Sequence, residues 1–358
     1  MRHSLSRRGF IGAGAASAAA LAAPAVAQGT KQWRMVTSWP KNLPGPGVTA
    51  ERLAQRIGAM SAGRLSVRVY SAGELVGGLQ VFDAVAAGTA DIGHTASFYW
   101  QGKHPAVAYF TTVPFGLTPT EHMAWIDHGG GQDLWDELYG GFGVKPFMAG
   151  NPGFNMGGWF KRPVTSLEDL RGLKLRVAGL GGEIYRKLGA TAITLAVADI
   201  LPALQAGTVD GVEFLGPWSD LGAGFYKVAR FYHYPGFNKP NGTGEAIVSL
   251  KAWEALPDDL KAIVTNAAAA ENAFSLAEAE LQNSRALAAL VEEHGVELVR
   301  FPDEMLAAAR RAAADLLADI AGHDGLARRI GESYVAARKG AIEWSRVSTE
   351  AFLAARNG

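Results

Sequence analysis

The sequence contains no cysteine among its 358 residues. The chain can therefore form no disulfide bond, no thiolate metal site and no cysteine nucleophile. The same absence suits a protein that is exported to an oxidising compartment, because no free thiol can mispair there.

Net charge is absent as well, since 34 lysines and arginines balance 34 aspartates and glutamates. Nothing in this balance indicates nucleic acid as a partner. A hydrophobic content of 48% with 19% charged residues is typical of a globular chain. The length is sufficient for two α/β lobes, each with its own core.

The motifs of several enzyme classes are also missing. There is no Gly-x-Ser-x-Gly elbow, no zinc-protease motif and no convincing nucleotide-binding loop. His122 and His128 lack the spacing of a metal-binding helical pair, so we interpret them as structural. Glu213 and Asp220 could act as a general acid/base pair, which leaves an exported enzyme as the alternative to a binding protein.

The first 27 residues have the features of an export signal. The segment from Ser6 to Gly12 resembles the twin-arginine motif, and an alanine-rich apolar run follows it. Ala25-Val26-Ala27 offers the small residues that a signal peptidase requires. We therefore predict a twin-arginine signal peptide over residues 1–27, a mature protein that starts near Gln28, and a periplasmic location.

Strand and helix patterns alternate after this leader. Strands are predicted at Trp33–Ser38, Leu65–Tyr70 and Thr89–Thr95, with helices between them. This order predicts an α/β fold with a mostly parallel sheet and helices on its faces. From Trp253 onward alanine, leucine, glutamate and arginine recur at helical spacing, which predicts long helices and a last one over Gly331–Phe352.

Arg176 is the leading candidate for a binding residue. It ends the alternating strand Leu173–Val177, just before a glycine-rich turn. Ligands of open α/β sheets bind at such strand ends, and a guanidinium matches a carboxylate with two parallel hydrogen bonds. The alternative is a surface cation on an edge strand.

Two further groups of residues stand at strand ends. Tyr99 and Trp100 follow the third strand in an aromatic cluster, and Glu213 and Trp218 follow the strand that begins at Val209. These side chains could line a pocket, although packing between lobes is the alternative for each aromatic ring.

Several of these segments together resemble one family. Met156-Gly157-Gly158-Trp159-Phe160, the pattern Leu-x-x-Leu-x-Gly-Leu-Lys-x-Arg-Val over Leu167–Val177, and Asp-Gly-x-Glu at Asp210–Glu213 are similar to the solute receptors of tripartite ATP-independent periplasmic (TRAP) transporters. The resemblance runs essentially end to end and is best to the α-keto acid and lactate-binding branch. It implies a two-lobed periplasmic binding protein fold with mostly parallel sheets, a ligand cleft between the lobes and long helices toward the C-terminus.

The resemblance also implies a function. The protein would be no enzyme but a receptor that binds a small 2-oxo or 2-hydroxy monocarboxylate, such as pyruvate or lactate, and delivers it to the TRAP membrane subunits. A different organic acid, bound on the same scaffold without metal, is the alternative.

The resemblance also implies roles for individual residues. Arg176 matches the carboxylate clamp, and the loop of Tyr99 and Trp100 lies at the ligand. Asn155 falls where the branch has a glutamine that contacts both ligand and cation, while Glu213 and the backbone carbonyl of Phe214 fall on cation-ligand positions. Such oxygen donors suit Na⁺ or Ca²⁺ better than zinc.

Lys239 departs from the branch, because it falls where a carboxylate helps to hold the cation. Two interpretations follow. In the first, the Lys239 ammonium replaces the metal charge and pairs with Glu213 and the ligand. In the second, Lys239 points to solvent and the metal is kept by fewer protein ligands.

We expect the chain to divide into two lobes and a helical tail. Lobe I would comprise residues 28–150 and about 238–275, lobe II residues 151–237 with part of the later helices, and residues 276–358 a long helix and a C-terminal extension. In the branch this extension exchanges between subunits, and the tail from Asp324 to Arg356 is long enough to do so. We therefore expect a homodimer.

Overall fold

A computed structural model describes residues 30–358 of the chain. The predicted signal peptide over residues 1–27 lies outside this range. Within the described range, no helix combines the length and the apolar character that a bilayer crossing requires.

Strands and helices alternate along most of the described chain. The strands are Lys31–Thr37 (β1), Leu65–Tyr70 (β2), Ile92–Thr95 (β3), Val144–Gly150 (β4), Gly158–Phe160 (β5), Lys174–Arg176 (β6), Thr191–Ile193 (β7), Gly211–Val212 (β8), Phe231–Tyr234 (β9), Gly244–Ser249 (β10) and Glu297–Arg300 (β11). The α-helices are Pro46–Met60 (α1), Val81–Ala86 (α2), Pro119–His128 (α3), Gly131–Gly140 (α4), Gly179–Lys187 (α5), Val197–Gln205 (α6), Pro217–Ala223 (α7), Leu250–Glu254 (α8), Asp258–Glu292 (α9), Asp303–Ala321 (α10), Gly325–Val347 (α11) and Thr349–Asn357 (α12).

The strands form two sheets. The first has the order β2-β1-β3-β10-β4, and the second has the order β11-β9-β5-β8-β6-β7. One strand in each sheet runs against the others, β10 in the first and β5 in the second. The prediction of an α/β fold with mostly parallel sheets is therefore confirmed.

Two short segments and one long helix connect the sheets. Residues 151–157 lead from β4 into β5, and residues 235–243 lead from β9 into β10. Helix α9 has 35 residues and is therefore about 52 Å long. It packs on β4 and α1 on one side and on α7, which follows β8, on the other.

The two connecting segments lie directly against each other. A Cβ atom on Gly236 would lie 2.1 Å from the carbonyl oxygen of Asn155, so no larger residue fits there. The Met156 amide donates to the Leu215 carbonyl at 3.1 Å, which joins the first segment to the loop after β8. Side chains from both segments therefore meet the carboxyl ends of the strands of the second sheet.

The prediction of a single last helix over Gly331–Phe352 is wrong, because two helices, α11 and α12, cover this region. The backbone leaves helical geometry at Ser348 (φ −118°, ψ −96°), between α11 and α12. The Ser348 hydroxyl donates to the carbonyl of Trp344 at 2.7 Å, one helical turn back. Such a bond competes with the main-chain ladder and bends helices. The N-terminal half of α11 packs on α3 and α4, and Tyr334 Oη accepts from the Leu117 amide at 2.9 Å.

His94 and His122 are buried and structural, as the sequence indicates for His122. The Trp39 indole donates to His94 Nδ1 at 2.8 Å, so Nε2 carries the proton and donates to the Ala149 carbonyl at 3.0 Å. His122 bonds to the Tyr109 carbonyl and to Thr243 Oγ1, each at 3.1 Å. Burial lowers the pKa of each of these two rings to about 4.

Because these two histidine rings are buried in the neutral form, we expect the folded protein to lose stability in acid. The pKa of His94 is lower in the folded protein than its ordinary value of 6.5, so its contribution is fully present above pH 6.5 and is lost as the pH falls toward 4. His94→Gln should flatten the fall in unfolding free energy between pH 6.5 and 4.5 by about 1.4 kcal/mol per pH unit. Urea denaturation at several pH values measures this slope.

The matched control is His294→Gln, since His294 is exposed. It should keep the wild-type slope. An unchanged slope in His94→Gln would show that the neutral His94 ring is not the form that folding selects.

Candidate functional site

Arg176 and Glu213 lie side by side because their strands are parallel neighbours. In the register of β6 and β8, Arg176 is opposite Val212, so Glu213 is the next residue beyond the sheet edge. The Glu213 amide donates to the Arg176 carbonyl at 2.9 Å. Both side chains therefore leave the sheet at its carboxyl edge, where open α/β sheets hold ligands.

The Arg176 guanidinium is fixed from two sides. Its Nη1 donates to the Glu213 carbonyl at 2.7 Å and its Nη2 to the Leu195 carbonyl at 3.0 Å. The side chain is 1% exposed, so Arg176 is not the surface cation of the alternative interpretation. Its Nε–H is buried and has no hydrogen-bond partner among the described residues. A buried charged donor of this kind is costly unless an acceptor reaches it.

Lys239 enters the site from the second connecting segment. Its Nζ lies 2.5 Å from Glu213 Oε1 and donates a hydrogen bond to the Phe214 backbone carbonyl. The residue is 2% exposed, so the interpretation in which Lys239 points to solvent is wrong. Burial lowers the pKa of the Lys239 ammonium, and the charge of Glu213 opposes this change.

Further side chains at the same place carry unpaired polar atoms. Both amide atoms of Asn155 and of Asn238 are buried without a hydrogen-bond partner in residues 30–358, and so are the Tyr99 hydroxyl and Glu213 Oε2. Burial raises the pKa of Tyr99, and the nearby charge of Arg176 partly offsets this. An unpaired buried polar group costs about 1–3 kcal/mol, so such a cluster indicates a ligand that completes it.

Trp100 does not belong to this cluster. Its indole N–H donates to the Tyr139 hydroxyl at 3.0 Å, and its ring packs on Phe82 with centroids 4.7 Å apart. Tyr99 and Trp100 lie in one 3-10 turn, and successive side chains there point in different directions. The packing interpretation therefore holds for Trp100, while Tyr99 reaches the site.

Trp218 lies beside the cluster. It is half-buried in the first turn of α7 and lines an apolar cavity between the sheets, together with Trp39, Phe98, Phe214 and Leu215. Phe98 also lies under the Lys239 ammonium, 5.2 Å from Nζ to the ring centroid. Trp218 therefore contributes an apolar wall, and no hydrogen bond of its indole within the described residues points to the cluster.

Asp220 supports the site from behind. Its carboxylate accepts from the Trp159 indole at 2.9 Å, the Tyr232 hydroxyl at 2.8 Å and the Leu215 amide at 3.0 Å. Burial raises the pKa of Asp220 to about 6. Since both oxygens are engaged, Asp220 positions the loop of Glu213 and Phe214 and is a poor partner for Glu213 in acid/base chemistry.

Asn238 and Phe98 are residues of the site that sequence reasoning did not select. Asn238 precedes Lys239 on the second connecting segment and lies against α5, with its Cβ 3.1 Å from where a Cβ on Gly181 would be. The sequence signal was only its place in the segment that departs from the family pattern. Asn238 and Gly181 are far apart in the sequence, and neither residue type indicates that the two will be buried against each other.

The charges of the groups lining the cluster leave one positive charge. The Glu213 carboxylate and the Lys239 ammonium form an ion pair, and Arg176 remains as a second cation. A single carboxylate can therefore pair with Arg176, whereas the Asp220 carboxylate behind the cluster disfavours a second negative charge.

Comparison with known proteins identifies the family of the chain. The family model of DctP, described as bacterial extracellular solute-binding protein, family 7, matches residues 35–324. A curated relative from Nostoc sp. (strain PCC 7120), named monocarboxylate 2-oxoacid-binding periplasmic protein, is 41% identical over 317 residues, which cover 88% of this chain and 86% of that protein.

Solved structures of TRAP solute-binding proteins are similar over nearly the whole described fold. One from Pseudoalteromonas atlantica, with bound sodium and pyruvate, has 36% identity and a TM-score of 0.88, with 91% of this chain and 99% of that chain covered. One from Colwellia psychrerythraea, with calcium and pyruvate, has 34% identity, the same TM-score and the same coverage. One from Bordetella bronchiseptica, a mixed-occupancy dimer with copurified calcium and picolinate, has 34% identity and a TM-score of 0.89, with 92% and 99% covered.

The expectation of Na⁺ or Ca²⁺ beside a small carboxylate is thus confirmed for these relatives. The fold agrees with the resemblance seen in the sequence. The chain belongs to bacterial extracellular solute-binding protein family 7, the periplasmic solute receptors of TRAP transporters.

Proposed function

We propose that this receptor binds a small 2-oxo or 2-hydroxy monocarboxylate, such as pyruvate or lactate, and hands it unchanged to TRAP membrane subunits. The observation that carries this proposal is the buried Arg176 guanidinium, whose Nε–H is unpaired within a cluster of unpaired amide and hydroxyl groups. The name of the Nostoc relative and the pyruvate in two related structures support the same ligand class.

Each group has a task in this proposal. Arg176 and Tyr99 bind the carboxylate, since both offer buried donors that lack an acceptor in the described chain. Asn155, Asn238 and Lys239 surround the 2-oxo or 2-hydroxy oxygen. Trp218 and the apolar wall around it limit the size of the substituent on the acid.

The two sheets are the cores of the two lobes in this proposal. Lobe I is residues 28–150 with about 238–275, lobe II is residues 151–237 with part of the later helices, and residues 276–358 form the remaining helical part. Because Arg176 and Lys239 are almost fully buried, a ligand enters only when the lobes separate. The two connecting segments are the natural hinges, since they join the sheets and carry Asn155 and Lys239.

The helical tail provides a surface for a second copy of the chain. Trp344, Val347 and Phe352 are 70%, 73% and 63% exposed on α11 and α12. Large apolar side chains clustered at such exposure mark an interaction surface. A homodimer is therefore part of the proposal. Export to the periplasm by the twin-arginine signal peptide is a separate part of it.

An exported enzyme is less consistent with the site. Asp220 is occupied by three donors, and Glu213 is paired with Lys239. A receptor returns its ligand unchanged, so the proton NMR spectrum of pyruvate incubated with the purified protein should show no product.

Replacement of the clamp should weaken binding. Arg176→Lys keeps the positive charge but loses the planar set of donors, so pyruvate affinity in a calorimetric titration of the mature protein should fall about 10- to 100-fold. The exposed Arg162 is the matched control, and Arg162→Lys should leave the affinity unchanged.

A thermal unfolding curve of Arg176→Lys checks that the variant is folded at the titration temperature. Wild-type affinity in the folded variant would remove Arg176 from the site. If the wild-type protein binds neither pyruvate nor lactate, the proposed ligand class is wrong although the family assignment stands.

If the helical tail forms the dimer, dimerisation depends on the exposed apolar side chains of α11 and α12. The double variant Trp344→Ser/Phe352→Ser should elute as a monomer in light-scattering chromatography, while the wild-type protein elutes as a dimer. Leu281→Ser changes an exposed apolar residue of α9 and should leave the dimer intact. A wild-type monomer would contradict the proposed exchange of tails.

A further inference from the structure

The Lys239 ammonium occupies the position that the resemblance assigns to a metal ion. Its Nζ contacts Glu213 Oε1 at 2.5 Å and the Phe214 carbonyl oxygen, which are two of the three implied cation ligands. We propose that Lys239 is a built-in replacement for the cation, so that this receptor binds its monocarboxylate without Na⁺ or Ca²⁺. The part of this inference that concerns the ligand rests on the proposed function.

The residues present do not fit a metal ion in addition to Lys239. A cation bound to Glu213 and to the Phe214 carbonyl would lie about 2.3–2.6 Å from each oxygen. The ammonium already contacts the same two oxygens. Two positive charges would then be separated by less than a normal contact distance inside a buried site, where their repulsion is strong.

The charge balance favours the ammonium over an added ion. The Lys239 ammonium pairs with Glu213, which leaves the Arg176 guanidinium as the cation for a monoanionic ligand. The resemblance implies a carboxylate at this position, so the Lys239 ammonium replaces that carboxylate and the metal ion together, and its single positive charge equals the sum of a carboxylate and Ca²⁺. Na⁺ or Ca²⁺ added to this chain would place a further cation beside two that are already buried.

The protein holds the Lys239 side chain in place. The Lys239 amide donates to the Gly236 carbonyl at 3.2 Å, within the connecting segment that packs on Asn155. The ring of Phe98 lies below the ammonium, 5.2 Å from Nζ, which favours a cation at this point. With 2% of the residue exposed, the side chain has no path to solvent without movement of its surroundings.

Asn155 remains available to the ligand beside the Lys239 ammonium. Both of its amide atoms are unpaired, so the amide is not held by Lys239 or by another described residue. The shorter side chain therefore remains free to contact the ligand alone. A tethered ammonium is never lost to the medium, so the affinity for ligand becomes independent of the Na⁺ and Ca²⁺ concentrations.

Calorimetry in two salts tests the inference. The mature protein is treated with a chelator and titrated with pyruvate in sodium chloride and in choline chloride of the same ionic strength, each with and without calcium. We expect dissociation constants within twofold of one another in all four media. An affinity that rises tenfold or more with Na⁺ or Ca²⁺ would overturn the inference.

Two variants at position 239 separate charge from space. Lys239→Ala removes the ammonium and opens its place, so we expect at least tenfold weaker binding in choline chloride and partial recovery with Na⁺ or Ca²⁺. Lys239→Met removes the charge but fills the space, so binding should be weak in every medium. Lys251→Ala, at an exposed lysine of α8, should behave as the wild type.

A titration with calcium chloride alone separates this inference from the choice of ligand. If pyruvate binds in no medium, the proposed ligand fails, and this titration of the chelated protein decides about Lys239. We expect no heat of binding for the wild type and measurable binding for Lys239→Ala. Calcium binding by the wild type would overturn the inference, and if the Ala variant does not fold, the wild-type and Met titrations decide.

Discussion

The arrangement of the site depends on one buried ion pair, between Lys239 and Glu213. A lone Glu213 carboxylate in this position would be an uncompensated buried charge, which typically costs 3–5 kcal/mol when a partner is removed. With the pair formed, the Phe214 carbonyl is engaged as well, and Arg176 remains as the cation that a ligand can neutralise. We propose that the preference for a monocarboxylate and the independence from a metal ion follow from this arrangement.

The fold makes the pair possible because the chain passes between its sheets twice in short segments. One segment supplies Asn155, the other supplies Asn238 and Lys239, and the parallel strands β6 and β8 supply Arg176 and Glu213. The glycine at position 236 allows the segments to touch. Asp220, held by Trp159 and Tyr232, fixes the loop from behind. Residues far apart in the sequence thus converge through main-chain geometry, and we propose the same segments as the hinges between the lobes.

Much of this could be predicted from residue pattern and family resemblance. Strand β2 was predicted at its observed bounds, and Arg176 was placed at a strand end by the alternation before a glycine-rich turn. Trp100 was predicted beside Tyr99 at the ligand, and only the direction of each side chain in the 3-10 turn separates them. The break at Ser348 is a local change of backbone geometry that helical periodicity does not reveal. The only sequence signal for Asn238 was its place in the segment that departs from the family pattern, because its burial results from the approach of α5 to the second connecting segment.

The most direct test of the site is a crystal structure of the mature protein grown with pyruvate and calcium chloride, with anomalous data collected for calcium. We expect pyruvate between the two sheets, with its carboxylate bound to Arg176 and Tyr99. We also expect the Lys239 ammonium to remain on Glu213 and the Phe214 carbonyl, with no calcium signal there. A calcium peak between Glu213 and Phe214, with Lys239 displaced, would contradict this expectation.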